Sequence, residues 1–167
     1  MDSSEGTTAA TIHRVVSWIE DRGITYQING GWAVDALLGR QSRPHRDLDV
    51  FVDADHVPGL LAQLSSDGYA IEVDWSPVRI ELALGDQRID VHPMRVTSDG
   101  DGIQEGFDGE VYHHRSASRT TGTIGGRAVV VADVERLREL REGYSPRAED
   151  HHDLAVLETI EGARERL

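Results

Sequence analysis

The sequence predicts an α/β (α+β) fold, a small mixed β-sheet flanked by helices. Apolar residues recur at helical spacing and then at strand spacing, in alternation, over most of the 167 residues, the pattern of a sheet covered by helices. Two alternating runs on either side of Gly85-Asp86 read as an antiparallel hairpin, so the sheet is not purely parallel. No internal repeat, heptad seam or low-complexity segment offers a competing architecture.

In order, residues 1–7 read as a disordered lead. From about Thr8, Ile12, Val15, Val16 and Ile19 form a helical stripe that Gly23 ends, with Trp18 packing at its edge. Residues 24–29 alternate as a strand and run into Gly30-Gly31. Trp32 to Leu38 form a short, mostly buried helix closed by Gly39, in which Asp35 faces outward or caps the arginine loop that follows. A strand over 47–52 precedes a helix capped by Asp53 or Asp55, with Pro58 in its first turn, Val57, Leu60, Leu61 and Leu64 inward, and Gly68 at its end. Tyr69, Ile71 and Val73 alternate as a strand, Ser76-Pro77 breaks it, and residues 78–84 and 88–92 pair as the hairpin. Met94 to Ser118 shows no sustained period and reads as a mobile loop with a short strand near Val111. Residues 123–131 read as a turn feeding a buried strand, Asp133 caps a helix to about Glu142, and a last helix from about Ala148 buries Leu154, Val156, Leu157 and Ile160.

Composition narrows the function. A length of 167 residues suits one domain, 1–167. A net charge of −13 argues against a nucleic-acid partner, which needs a basic footprint, and favours a cationic small molecule. All 17 basic residues are Arg, so a phosphate clamp here is guanidinium and no lysine chemistry is available. With no Cys there are no disulfides, thiol nucleophiles or zinc–cysteine sites. The acidic, polar start lacks signal-peptide character and no run is apolar enough to span a membrane; a cytoplasmic protein without a membrane partner is expected.

The chemistry concentrates in residues 30–52. The glycine pair at a strand-to-helix turn lets backbone N–H groups approach an anion at a helix N-terminus. Arg40, Arg43 and Arg46 follow, planar donors suited to phosphate oxygens. Asp47 and Asp49 share one strand face while Leu48, Val50 and Val52 take the other, so both carboxylates reach one divalent cation. On the hairpin's second strand, Arg88, Asp90 and His92 share a face.

The order G-G-W-x-x-D-x-x-x-G-R…R-x-H-x-D-x-D resembles the small antibiotic nucleotidyltransferases, the lincosamide and aminoglycoside-2″ enzymes of the DNA polymerase β-like superfamily. Trp75-Ser76-Pro77-Val78-Arg79-Ile80-Glu81-Leu82, Ile89-Asp90-Val91-His92-Pro93 and Asp150-His151-His152-Asp153-Leu154 extend the likeness over most of the chain. The resemblance implies a polymerase-β-like fold and a nucleotidyltransferase that moves a nucleoside monophosphate, AMP from ATP in the first instance, onto a hydroxyl of a lincosamide or aminoglycoside and releases pyrophosphate. It implies one or two Mg2+ held by Asp47, Asp49 and Asp90, with Asp90 removing the acceptor's proton. Gly30, Gly31, Arg40, Arg43, His45 and Arg46 would hold the triphosphate of ATP or another nucleotide, and Arg79, Glu81 and His92 are candidates around the acceptor. His152 departs from the aromatic often found there, which touches the acceptor pocket. The expected partners are the nucleotide and a small-molecule hydroxyl acceptor, with a homodimer left open.

Two rival readings stand beside this one. A His/Asp metal-dependent phosphohydrolase would use His151 and Asp153, but lacks further ligands at helical spacing. A non-catalytic binding or antitoxin-type protein on the same fold would not need all three acidic residues. His113 and His114, adjacent in extended chain, point apart and read as a polar loop rather than a metal pair.

Overall fold

A computed structural model describes residues 6–142 and 144–166. The elements run α1 (Ala9–Asp21), β1 (Tyr26–Asn29), α2 (Gly30–Leu38), β2 (Leu48–Asp53), α3 (Val57–Ser66), β3 (Ala70–Trp75), β4 (Arg79–Leu84), β5 (Gln87–Val96), β6 (Gly102–Glu105), β7 (Val111–His114), β8 (Arg119–Ile124), β9 (Arg127–Ala132), α4 (Val134–Glu139) and α5 (Ala148–Glu165). Among the described residues the strands form one mixed sheet in the order β3-β4-β5-β2-β1-β9-β8, with β6 and β7 continuing from the far end of β5. β2 lies parallel to β5 and antiparallel to β1, and β1 lies parallel to β9.

The core sits where the apolar face of the central strands meets the helices. Leu48, Val50 and Val52 of β2 and Ile89 and Val91 of β5 are fully buried beside Ile12, Val15, Val16 and Ile19 of α1 and Leu60 and Leu64 of α3. Each such side chain contributes about 1.5–3 kcal/mol of apolar burial. Trp18 meets Gly59 of α3 and carries the Arg22 guanidinium over its ring, so it packs between helices. Because Leu48, Val50, Val52, Ile89 and Val91 point into this core, alternation turns Asp47, Asp49, Asp90 and His92, together with Phe51, to the opposite face.

Several segments depart from the sequence expectation. Residues 1–5 of the anticipated lead lie outside the described residues, but Gly6 and Thr7 are held: Gly6 bridges to His45, and Thr7 is fully buried, its hydroxyl bonded to the backbone of Arg46 and Arg88. Met94 to Ser118 holds more strand than expected: β5 runs on to Val96, and β6 pairs with the anticipated strand near Val111, here β7, in a hairpin whose polar sequence hides the rest of its strand character. β8, missed for its Thr and Gly content, pairs along its whole length with β9. β3 is an edge strand with Ile71 half exposed, which is why its alternation did not signify burial. α4 stops at Glu139 rather than Glu142. The hairpin at Gly85, the cap at Asp133 and the start of α5 fall where expected. No described helix is long and apolar enough to cross a membrane.

Candidate active site

The polar face of β2 and β5 forms one wall of a cleft of about 480 Å³. Parallel pairing sets Asp49 directly beside Asp90 and Phe51 beside His92. The His92 ring stacks on Phe51 with centroids 4.3 Å apart and planes 7° apart, which holds its Nε2 3.2 Å from Asp49 Oδ1 and 3.6 Å from Asp90 Oδ2. Asp47, one pleat before Asp49 on the same face, also lines the cleft, its carboxylate accepting from Arg46 Nη1 at 3.0 Å.

Crowding of carboxylates shapes their acidity. Burial, followed by the nearby Asp49 and Asp90 charges, pushes Asp47 up to about 6. Burial also pushes Asp90 up to about 6, with Asp49 adding to it while His92 and Arg79 pull against it. Asp90 Oδ2 accepts from Arg79 Nη1 at 2.8 Å, but Oδ1 is buried with no partner. A buried, unpaired carboxylate oxygen beside two more carboxylates is a group lacking positive charge. Asp49, Asp90 and His92 each offer a ligand atom within 4.8 Å of the others, so the residues fit a divalent cation, and the oxygen-rich set fits Mg2+.

Next to Asp49, Gly30 opens α2 with φ +71° and Gly31 follows in the first turn. A Cβ on Gly30 would strike Asp49 Oδ2; one on Gly31 would strike Arg43 Nη2 and lie 2.5 Å from His45 Nδ1. The glycine pair thus lets the helix N-terminus sit against the carboxylates on one side and two basic side chains on the other, where its free N–H groups favour an anion. His45 is buried, its Nε2 2.7 Å from Asp35 Oδ2 and its Nδ1 unpartnered. Asp35, anticipated as outward-facing or as a cap, is buried and does cap the loop: it also accepts from Ser42 N at 2.8 Å and from the Ser42 hydroxyl, which meets His152 Nε2 at 2.8 Å.

Arg43 forks onto Asp153 of α5 with Nε and Nη2 both at 2.9 Å, and Arg141 Nη2 reaches the same carboxylate at 2.9 Å. Arg46 turns the other way, onto Glu81 at 2.9 Å. Glu81, only 5% exposed, also takes Arg79 Nη2 at 3.2 Å and Arg88 Nη1 at 3.2 Å. Burial pushes Glu81 up, but Arg46, Arg79 and Arg88 outweigh it and hold it below its ordinary value. Arg79 and Glu81 are therefore an ion pair within the wall, with only Arg79 facing the cleft.

Two expected site residues do not line the cleft: Glu81, buried in the wall, and Arg40. Arg40 is exposed beyond the end of α2 and does not line the cleft, because Gly39 at φ +88° turns the chain away from it. Gly30, Gly31, Arg43, His45, Arg46, Asp47, Asp49, Arg79, Asp90 and His92 all line it. Sequence reasoning missed Arg141, Tyr144 and Arg147, which bring the connection between α4 and α5 over the cleft; a polar turn between helices carries no periodic signal. His151 is exposed on α5, whereas Asp153 is buried and fully engaged by two arginines, so they do not form a hydrolase dyad. His113 pairs with Asp101 at the surface, while His114 is buried against Gln104 Oε1 and the edge of Phe51. Burial, then the Arg136 and Arg119 charges, lowers His114 to about 4.

The model of the aminoglycoside-2″-adenylyltransferase family matches residues 11–157. The chain belongs to that family. A lincosamide resistance protein of Staphylococcus haemolyticus is 30% identical over 158 residues, covering 94% of this chain and 98% of the relative. A 2″-aminoglycoside nucleotidyltransferase of Klebsiella pneumoniae is 28% identical over 74% of this chain and 66% of its own length. The solved structure of a lincosamide antibiotic adenylyltransferase with lincomycin bound superposes with a TM-score of 0.84 at 31% identity, covering 93% of this chain and 99% of that one. An aminoglycoside 2″ enzyme bound to adenylyl-2″-tobramycin gives 0.69 at 20% identity, covering 94% and 91%, and so shares the fold. The chain is accordingly a nucleotidyltransferase of the polymerase-β-like fold.

Proposed function

We propose that this nucleotidyltransferase acts as a single domain to transfer AMP from magnesium ATP to a hydroxyl of an antibiotic, a lincosamide in the first instance, releasing pyrophosphate. The observation that carries the reading is the in-register pair Asp49 and Asp90 on adjacent strands, with the Gly30-Gly31 helix terminus set against Asp49 in the same cleft. The match to a lincosamide resistance protein over 98% of that relative's length supports the acceptor class.

Asp49, Asp90 and His92, with Asp47 alongside, would hold the magnesium. When bound, the cation neutralises triphosphate charge and lowers the pKa of a neighbouring hydroxyl. Gly30, Gly31, Arg43, His45 and Arg141 bind the β and γ phosphates, and Arg46 stands at the mouth beside Asp47. The acceptor oxygen attacks the α phosphorus, the bond from that phosphorus to the bridging oxygen breaks, and pyrophosphate leaves in line. Asp90, which lines the cleft, takes the hydroxyl proton. A carboxyl raised to about 6 is ionised at neutral pH yet basic enough for this task.

The test incubates the full chain with magnesium ATP and a panel of lincosamides and aminoglycosides. An acceptor heavier by one AMP, with stoichiometric pyrophosphate, is expected. Phosphate without a modified acceptor would make the protein a hydrolase. Nucleotide binding with neither product would make it a binding protein.

A further inference from the structure

Two hairpin tips from separate parts of the chain meet beside the cleft. Trp75 ends β3 and is paired in register with Arg79, which begins β4. Phe107 comes from the turn between β6 and β7, closed by Gly106 N–H donating to Glu110 O at 2.8 Å. Their rings meet edge to face, centroids 5.3 Å apart at 81°, yet Trp75 is 51% and Phe107 62% exposed. The pair belongs to no buried cluster, so core packing does not account for it.

Arg79, which lines the cleft, connects it to this aromatic pair, which stands just outside. Its guanidinium lies 4.7 Å over the Trp75 ring while its Nη1 donates to Asp90 Oδ2 at 2.8 Å. One planar group therefore separates the indole from the carboxylate assigned to the acceptor's proton. Around the two rings the exposed surface combines the Arg79 guanidinium with the carboxylates of Asp74, Glu105, Asp108 and Glu110, while Glu81 is buried under three arginines.

Resting on the transferase reading above, we propose that Trp75 and Phe107 are the acceptor's ring-binding platform. The ligand class is a sugar ring with an apolar substituent. The C–H face of such a ring packs on the indole, one hydroxyl comes to Asp90 beside Arg79, and the apolar substituent covers Phe107. Aromatic side chains suit a ligand with one apolar and one wet face.

The experiment uses the full chain with Trp75→Leu and Phe107→Ala; both side chains are exposed, so folding is retained. Each substitution is expected to raise the KM for a lincosamide about tenfold while the KM for ATP holds within about twofold. Lincosamide alone, without nucleotide, should quench tryptophan fluorescence in the parent and not in Trp75→Leu, where the buried Trp32 and half-buried Trp18 remain. A lincosamide KM unchanged in both variants, or quenching that persists without Trp75, overturns the platform while leaving the transferase reading intact. Quenching through Trp75 with no AMP transfer supports the platform and defeats the transferase reading. A variant that dissociates a dimer in sedimentation without altering the lincosamide KM makes the pair a self-association surface and overturns the proposal.

Discussion

Replacing Asp90 with Asn should destroy activity and stabilise the metal-free protein at once. Asp90 stands at about 6 rather than 3.8 because it is buried next to Asp49, with its side chain only 6% exposed. Since the folded value lies above the unfolded one, ionisation opposes folding. The stability present below about pH 4 is lost as pH rises through about 6, by about 3 kcal/mol in all. Asn resembles the protonated acid at every pH and still offers Arg79 a carbonyl oxygen. In chelator at pH 8, Asp90→Asn should therefore be more stable by up to about 3 kcal/mol, a rise of roughly 6–12 °C in Tm for a chain of this size. Magnesium should narrow the gap by supplying the missing positive charge to the parent. Transfer of AMP should fall by about 10²–10⁴ in kcat, the usual worth of a general base, with nucleotide binding largely kept. Calorimetry in chelator and in magnesium, together with an acceptor-mass assay, measures both. A variant less stable than the parent in chelator would refute the charge-crowding argument, and normal turnover would refute the role given to Asp90.

Gly31→Ala should raise the KM for ATP by at least about tenfold, the loss of one charge-assisted phosphate contact, because its Cβ displaces Arg43 Nη2 and His45 Nδ1; an unchanged KM in steady-state kinetics would remove the phosphates from this helix terminus. Asp153→Asn, at a side chain 2% exposed, leaves the buried Arg141 without its counter-charge and should cost about 3–5 kcal/mol in urea unfolding; a loss below about 1 kcal/mol would show that α5 is held by packing alone. His114, lowered to about 4 by burial and by Arg136 and Arg119, stays neutral in the fold, so stability is lost as pH falls from 6.5 toward 4. His114→Gln should recover about 2–3 kcal/mol of the difference between pH 7 and pH 4.5. The comparison with the parent matters, since Asp47 and Asp90 gain stability over the same interval; parallel pH curves would sink the assignment.

Local order along the chain made much of the site readable. Gly30-Gly31, Asp47 and Asp49 lie within twenty residues, and strand alternation alone puts both carboxylates opposite Leu48, Val50 and Val52. Asp90 was different: its own strand placed it on a polar face, and only resemblance gave it a role, because nothing local says that β5 lies beside β2. Arg43 and Arg46 read alike as phosphate donors. In the fold one forks onto Asp153, over a hundred residues away, and the other onto Glu81, and Arg40 is turned out to solvent altogether. Arg141 and Tyr144 gave no signal, and within Met94 to Ser118 only the strand near Val111 was legible, because polar hairpins lack the apolar alternation that marks a half-buried strand.

The amino-acid order by itself determined the helices, the central strands, the glycine hinge and the face on which the acidic residues stand, since each depends on contacts within a few residues. Tertiary structure alone decided which carboxylate neighbours which, which arginines face the cleft, and that Trp75 and Phe107 share one surface beside Asp90. Those outcomes depend on strand register and on the docking of α5, where partners distant in sequence meet through hydrogen bonds and burial that no local pattern encodes.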